Sequence, residues 1–233
     1  MSHLTVFDLD GTLVDTPSAI VETFTAAFGA LGVAAPEAAA VRATIGIPLG
    51  RAFAGLLGVP PDDGLVTEGV RHYQRLFKEI ILPRGPELLF PGVTQGLDEL
   101  RGLGRTLAVA TSKFHANADA LLRSAGLRDR FALVVGADQV TRPKPDPESG
   151  RLVLRTLGVA AEHAVMVGDT VHDIQMAHAA GMRSIAVTYG VQSAAELIPA
   201  RPTWIAGTFG EVVARAANGS LRGTAAAPEE LAG

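Results

Sequence analysis

The sequence predicts an α/β protein: a parallel sheet with helices on both faces, and an α-helical segment inserted after the first strand. Three observations carry this reading. Beyond residue 91, short apolar segments of strand character alternate with segments of helical periodicity, the pattern of a parallel sheet joined by helical crossovers. Between residues 15 and 82 the apolar residues fall only at helical spacing, and no convincing strand interrupts them. The chain has 233 residues, 48% of them hydrophobic, enough for one large domain or one domain carrying a smaller insert.

The elements follow in order. Leu4 to Leu9 is short, apolar and partly β-branched, a buried strand. Thr16 and Pro17 supply an N-cap and a first helical residue, and Ile20, Phe24, Phe28 and Leu31 then fall on one helix face. Val41 and Ile45 continue this spacing, Phe53, Leu56 and Leu57 mark a short helix after Pro48, and Val66, Val70, Tyr73, Phe77 and Ile80 form a third stripe. These stripes read as core, and Tyr73, His72, Lys78 and Arg84 as ordinary residues of the insert or its helix surfaces. Next come a helix through Val93, Leu97 and Leu100, a strand Thr106 to Ala110, and a helix from Phe114 ending near Gly126. A strand Phe131 to Val135, a helix Pro147 to Leu157, a strand Ala164 to Val167 and a helix to Gly181 follow. Ser184 to Thr188 and Thr203 to Ala206 are two more strands, and residues 218–233, small, polar and alanine-rich, read as a loose tail.

Composition excludes several classes of function. With 24 acidic and 20 basic residues the net charge is -4, which argues against a general nucleic-acid binder. There is no cysteine, so disulfides, thiolate metal sites and cysteine nucleophiles are excluded. No apolar run approaches the roughly 18 residues that span a bilayer. The first residues lack the features of a signal peptide, so a cytoplasmic protein without membrane contact is expected.

In an open parallel sheet, chemistry gathers beyond the carboxyl ends of the strands. Asp8 and Asp10 end the first strand, and at i and i+2 on extended chain they share a side. Asp-Gly is also a common turn pair, so a plain polar turn is the alternative. Asp169 and Asp173 follow the strand Ala164 to Val167, where Asp169 is equally a natural N-cap. Crowded carboxylates are electrostatically expensive unless a cation or a proton separates them, and a hard divalent ion such as Mg²⁺ would do so. Thr111 and Ser112, at the end of the strand Thr106 to Ala110, offer hydroxyls and backbone N–H groups to a phosphate, or simply an N-cap. Lys144, flanked by Pro143 and Pro145, sits on restricted backbone that would hold it in place. His172 and His178, six apart, do not share a helix face and read as surface or packing residues.

Together these segments resemble the haloacid dehalogenase superfamily of phosphohydrolases over nearly the whole chain. Asp8-Leu9-Asp10-Gly11-Thr12 is similar to its first motif, Thr111-Ser112 to its second, Lys144 to its third and Gly168-Asp169-Thr170-Val171-His172-Asp173 to its fourth. Ile45-Gly46-Ile47-Pro48 and Arg142-Pro143-Lys144-Pro145-Asp146-Pro147 resemble stretches of the phosphoglycolate phosphatase-like branch. The resemblance implies a Rossmann-like core, residues 1–14 and 89–217, with residues 15–88 as a helical cap. It implies a Mg²⁺-dependent phosphatase acting on a small phosphorylated metabolite through an aspartyl-phosphate. Asp8 would be the nucleophile and Asp10 the general acid and base. Thr111, Ser112 and Lys144 would bind and stabilise the phosphoryl group. The metal would be held by Asp8, the Asp10 backbone carbonyl and Asp169, with Asp173 supporting its water shell or orienting Lys144. Arg42 and Gly46 are candidate cap contacts to the substrate. Dehalogenases of the superfamily lack an acid at the Asp10 position. The nearest rival is a sugar phosphomutase of the β-phosphoglucomutase type. Those proteins carry a cap histidine and arginine where this chain has Ile20 and Leu49, with Arg51 out of register. A non-catalytic regulatory or binding module is the other alternative, and no catalytic position is missing to suggest it.

Overall fold

Alternation within each buried strand decides which helices cover which face of the sheet. In the computed structural model, which describes residues 3–217, the first strand β1 (Leu4–Phe7) is buried throughout. The insert contains α1 (Pro17–Leu31), α2 (Ala38–Arg42), α3 (Leu49–Leu57) and α4 (Gly64–Ile80). The remaining elements are α5 (Val93–Gly102), β2 (Thr106–Ala110), α6 (His115–Ser124), β3 (Leu133–Val135), α7 (Glu148–Leu157), β4 (Ala164–Gly168), α8 (Val171–Ala179), β5 (Arg183–Val187), α9 (Ala194–Leu197), β6 (Trp204–Ala206) and α10 (Phe209–Ala217). The six strands form one parallel sheet in the order β3-β2-β1-β4-β5-β6. Leu4, Val6, Ala108 and Met166 pack with Val153 of α7 and Met176 of α8 on one face. Phe7, Val109, Val165 and Val167 pack with Leu97 of α5 and Phe209 of α10 on the other. Period-two strands buried on both sides thus give two cores, as a doubly covered sheet requires.

The chain winds from β1 outward through β2 to β3, then returns to β4 on the other side of β1. The resulting crevice lies beyond the ends of β1, β2 and β4. All strands expected from the sequence are present, and three are shorter, β6 by one residue because Thr203 Oγ1 accepts from Ser184 N–H at 3.1 Å ahead of the strand. The first ends at Phe7 because the Leu9 carbonyl accepts from the N–H groups of Thr12, Leu13 and Val14, closing a turn. Gly11 stands at φ +80° in that turn, and a Cβ there would collide with the Asp169 carboxylate, so glycine is required. β3 begins at Leu133, because Phe131 closes the preceding 3₁₀ turn and its carbonyl accepts from Arg128 Nη1. Helices α9 and α10 had no sequence expectation. The expected tail, 218–233, lies outside the described residues.

The insert leaves and rejoins the sheet at one place. Asp15 N–H donates to Leu88 O at 2.6 Å, and Phe90 N–H donates to Leu13 O at 3.2 Å. Within it α1 packs along α4, and Phe24, Phe28, Phe53 and Tyr73 form an aromatic cluster with Phe24–Phe53 ring centroids 4.8 Å apart. Gly69 of α4 makes room for this cluster, since a Cβ there would come 2.6 Å from the Phe53 ring. Thr16 does precede α1, but its hydroxyl is not a cap: it donates to Asp10 instead. No helix among the described residues is long and apolar enough to cross a membrane.

Candidate active site beyond the strand ends

Three carboxylates meet in the crevice. Asp8 extends from β1, Asp169 follows β4, and Asp173 lies in the first turn of α8. Each offers an oxygen within 4.8 Å of the others, and all three are buried. Asp169 is not the helix cap. Thr170 holds that position, and Asp173 completes a capping box, its Oδ2 accepting from Thr170 N–H at 3.1 Å and Thr170 Oγ1 at 2.7 Å. Asp169 is fixed from two distant segments, accepting from Thr12 Oγ1 at 2.9 Å and from Val191 N–H at 2.8 Å.

Lys144, from the loop between β3 and α7, is buried beside this group. Its Nζ lies 3.0 Å from Asp8 Oδ1 and donates to Asp173 Oδ1 at 2.6 Å and to Ala110 O at 3.1 Å. Burial by itself would lower the lysine's pKa, but Asp173 and Asp8 outweigh it and raise it, so the ammonium stays charged. One ammonium does not balance three carboxylates. Burial pushes Asp8 up to about 6, with Asp173 and Asp10 adding repulsion against the favourable pull of Lys144. Burial, Asp8 and Asp173 raise Asp169 well above the usual carboxylate range. An oxygen-only, electrostatically under-compensated cluster of this kind can hold a hard metal ion.

The Asp10 carboxylate is not part of that cluster. It accepts from Thr16 Oγ1 at 2.6 Å and pairs with Lys113 Nζ at 2.9 Å. Lys113 also lies over the Phe77 ring, 5.1 Å from its centroid. Any metal contact from Asp10 would therefore come from its backbone carbonyl. Sequence reasoning passed over Lys113, although its place directly after Thr111-Ser112 put a cation at the end of β2.

A cleft opens between the strand ends and the insert, with about 550 Å³ of empty space including its mouth. Asp8, Asp10, Thr111, Ser112 and Lys113 line its floor, and Gly46 its wall. Thr111 Oγ1 accepts from Lys113 N–H at 3.2 Å. Ser112 Oγ donates across the cleft to Gly46 O at 2.7 Å, so it ties insert to core in this structure. Gly46 has φ +95°, which explains glycine there. Arg42 stands outside the cleft, exposed, donating to Ser18 Oγ at 3.1 Å. His172 and His178 do not join the site either, and His178 pairs with Ser184 Oγ at 3.0 Å. Ile20, Phe24 and Tyr73, read from the sequence as core or ordinary insert residues, line the cleft. Periodicity could mark the buried stripe but not which part of it meets a cavity.

The family model described as haloacid dehalogenase-like hydrolase matches residues 5–187, most of the chain. The chain belongs to this family. "Probable phosphatase IndB" of Dickeya dadantii is 52% identical over 216 residues, covering 93% of this chain and 94% of that protein. A 5′-nucleotidase of Pseudomonas aeruginosa is 34% identical, covering 85% and 88%, and a phosphoglycolate phosphatase of Mesorhizobium japonicum is 33% identical, covering 79% and 82%. The crystal structure of a haloacid dehalogenase-like hydrolase from Bacteroides fragilis superposes with a TM-score of 0.82 at 26% identity, covering 91% of this chain and all of that one. The parallel sheet is that of the hydrolases of this family.

Proposed function

We propose that this hydrolase is a Mg²⁺-dependent phosphatase that cleaves small phosphomonoesters through an aspartyl-phosphate, with residues 15–88 as a cap over a core of residues 1–14 and 89–217. The carrying observation is the arrangement around Asp8: a buried carboxylate at a strand end, 3.0 Å from Lys144 and facing the Asp169–Asp173 cluster, with Asp10 beside it at the cleft. Asp8, Asp169 and the Asp10 carbonyl would hold Mg²⁺. When bound, the ion supplies positive charge that lets an anionic nucleophile meet an anionic phosphate.

Asp8 attacks phosphorus and forms the acyl phosphate as the bond to the leaving oxygen breaks. Asp10 donates a proton to that oxygen, then takes one from the water that hydrolyses the acyl phosphate, releasing inorganic phosphate and restoring Asp8. Lys144 and Thr111 stabilise the non-bridging oxygens. Asp173 orients Lys144 through its 2.6 Å contact. Phosphoglycolate is the substrate the sequence resemblance suggested, and the cap bears on that choice below. A phosphomutase would need cap groups for a second phosphate, whereas Ile20 and Leu49 line the cleft as hydrocarbons.

The test is phosphate release with and without Mg²⁺ in wild type and Asp8→Asn. Loss of turnover in the variant, with an unchanged circular dichroism spectrum, is expected. Wild-type turnover in Asp8→Asn would remove the nucleophile and the mechanism with it.

A further inference from the structure

The cap side of the cleft is mostly hydrocarbon, and the Thr44 hydroxyl on it is spent on Val41 O at 2.7 Å. Ile20, Phe24, Ile45, Ile47, Leu49 and Ala52 line it. Such a wall favours an apolar body and leaves an anionic one without compensation. Among the described residues lining the cleft, Lys113 is the one cation, and it is already paired with Asp10 at 2.9 Å. Lys144 is buried behind Asp8, between Asp8 and Asp173. Arg42 faces Ser18, outside the cleft. A carboxylate on the leaving group would therefore be desolvated against isoleucines with no free cation.

Tyr73 and Asn117 are two further neutral polar residues of the lining. Tyr73 is 4% exposed and Asn117 8%, and neither side chain is hydrogen-bonded among the described residues. Burial raises the Tyr73 pKa, with Asp10 adding to the rise, so its hydroxyl stays protonated and neutral. An unpartnered phenol and amide facing a cleft suit a neutral ligand with polar atoms, and neither balances a charge. Phe24, Tyr73 and Phe114 add three aromatic rings to the same lining, which suits a ring-bearing body.

We propose that the preferred substrate is a phosphomonoester of an uncharged, ring-bearing alcohol, selected by the apolar cap wall, and that the carboxylated ester 2-phosphoglycolate is a poor one. This rests on the phosphatase reading above and narrows its substrate class.

The experiment compares kcat/KM for benzyl phosphate and 2-phosphoglycolate, with Mg²⁺. Both are alkyl esters, so leaving-group basicity does not decide the order. Benzyl phosphate is expected to exceed 2-phosphoglycolate by about tenfold or more. Ile47→Arg, at a half-buried wall position, is expected to reverse the order by placing a guanidinium where the carboxylate would lie. If 2-phosphoglycolate is preferred by the wild type, the inference fails while the phosphatase reading stands. If Ile47→Arg, folded by circular dichroism, leaves the ratio unchanged, the leaving group does not lie against this wall and the inference also fails. If neither ester releases phosphate, and Asp8→Asn changes nothing across a wider panel of esters, the phosphatase reading fails and this inference with it.

Discussion

Replacing Lys144 by methionine should expose how the acidic cluster is held together. The side chain keeps its unbranched shape, one atom shorter, and loses its charge. Asp8 Oδ1, 3.0 Å away, and Asp173 Oδ1, 2.6 Å away, then face each other without the ammonium. Breaking one half of a buried ion pair costs about 3–5 kcal/mol. The cluster can limit that cost by taking up one proton in place of the lysine charge. Holding a proton at pH 7 on a carboxyl of ordinary pKa 3.8 costs about 4 kcal/mol, at about 1.4 kcal/mol per pH unit. The expected destabilisation is thus near 3–4 kcal/mol at pH 7 and about 1.6 kcal/mol at pH 5. The sign follows from a folded-state carboxyl pKa raised above its unfolded value: the protonated form stabilises the fold at low pH, and that stability is lost as pH rises. Urea denaturation in chelator at pH 5, 6 and 7, with wild type measured alongside, gives the difference directly. A penalty below about 1 kcal/mol at pH 7, or one that does not change with pH, would refute the account of Lys144 as the charge that keeps these carboxylates together.

Other outcomes follow from the same geometry. Asp10→Asn should slow phosphate release by about 10²–10⁴-fold and lengthen the life of the aspartyl-phosphate, read by rapid quench with a labelled ester. In the metal-free protein Asp8 sits at about 6, and Asp169 is raised as well, so both bind protons more tightly folded than unfolded. The Asp8 contribution to stability is lost as pH rises through about 6, where that carboxylate ionises and can take a cation. The thermal shift on adding Mg²⁺ should therefore grow from pH 5 to pH 7; an equal shift at both would contradict it. Phe53→Ala, at the fully buried member of the insert's aromatic cluster, should cost about 3–5 kcal/mol in denaturant unfolding. Gly11→Ala should abolish activity, because residue 11 has φ +80° and the added methyl meets the Asp169 carboxylate; retained turnover would mean that the loop can move aside.

Much of this protein is written in local sequence. The strands β1, β2, β4 and β5 are short apolar runs bounded by turn residues, and their ends carry Asp8, Thr111 and Asp169 wherever the chain goes afterwards. The helices of the insert announce themselves by spacing, because a 3.6-residue period is a relation among near neighbours. Four motifs in order were enough to expect the family, since each role needs a particular residue type at a strand end.

The rest depended on which distant surfaces meet. Asp169 is set by Thr12 and by the loop after β5, and nothing local to Asp169 encodes those partners. The Asp10 carboxylate is drawn to Thr16 and Lys113, away from the cluster of its sequence neighbour Asp8, because the insert and the end of β2 offer it better partners. Ile20, Phe24 and Tyr73 belong to ordinary apolar stripes, yet packing leaves a gap against part of each, and that gap is the cleft wall. Local periodicity decides that a residue is turned inward. Only the docking of one element on another decides whether it meets a neighbour or an open cleft, because that depends on the relative placement of surfaces far apart in the chain.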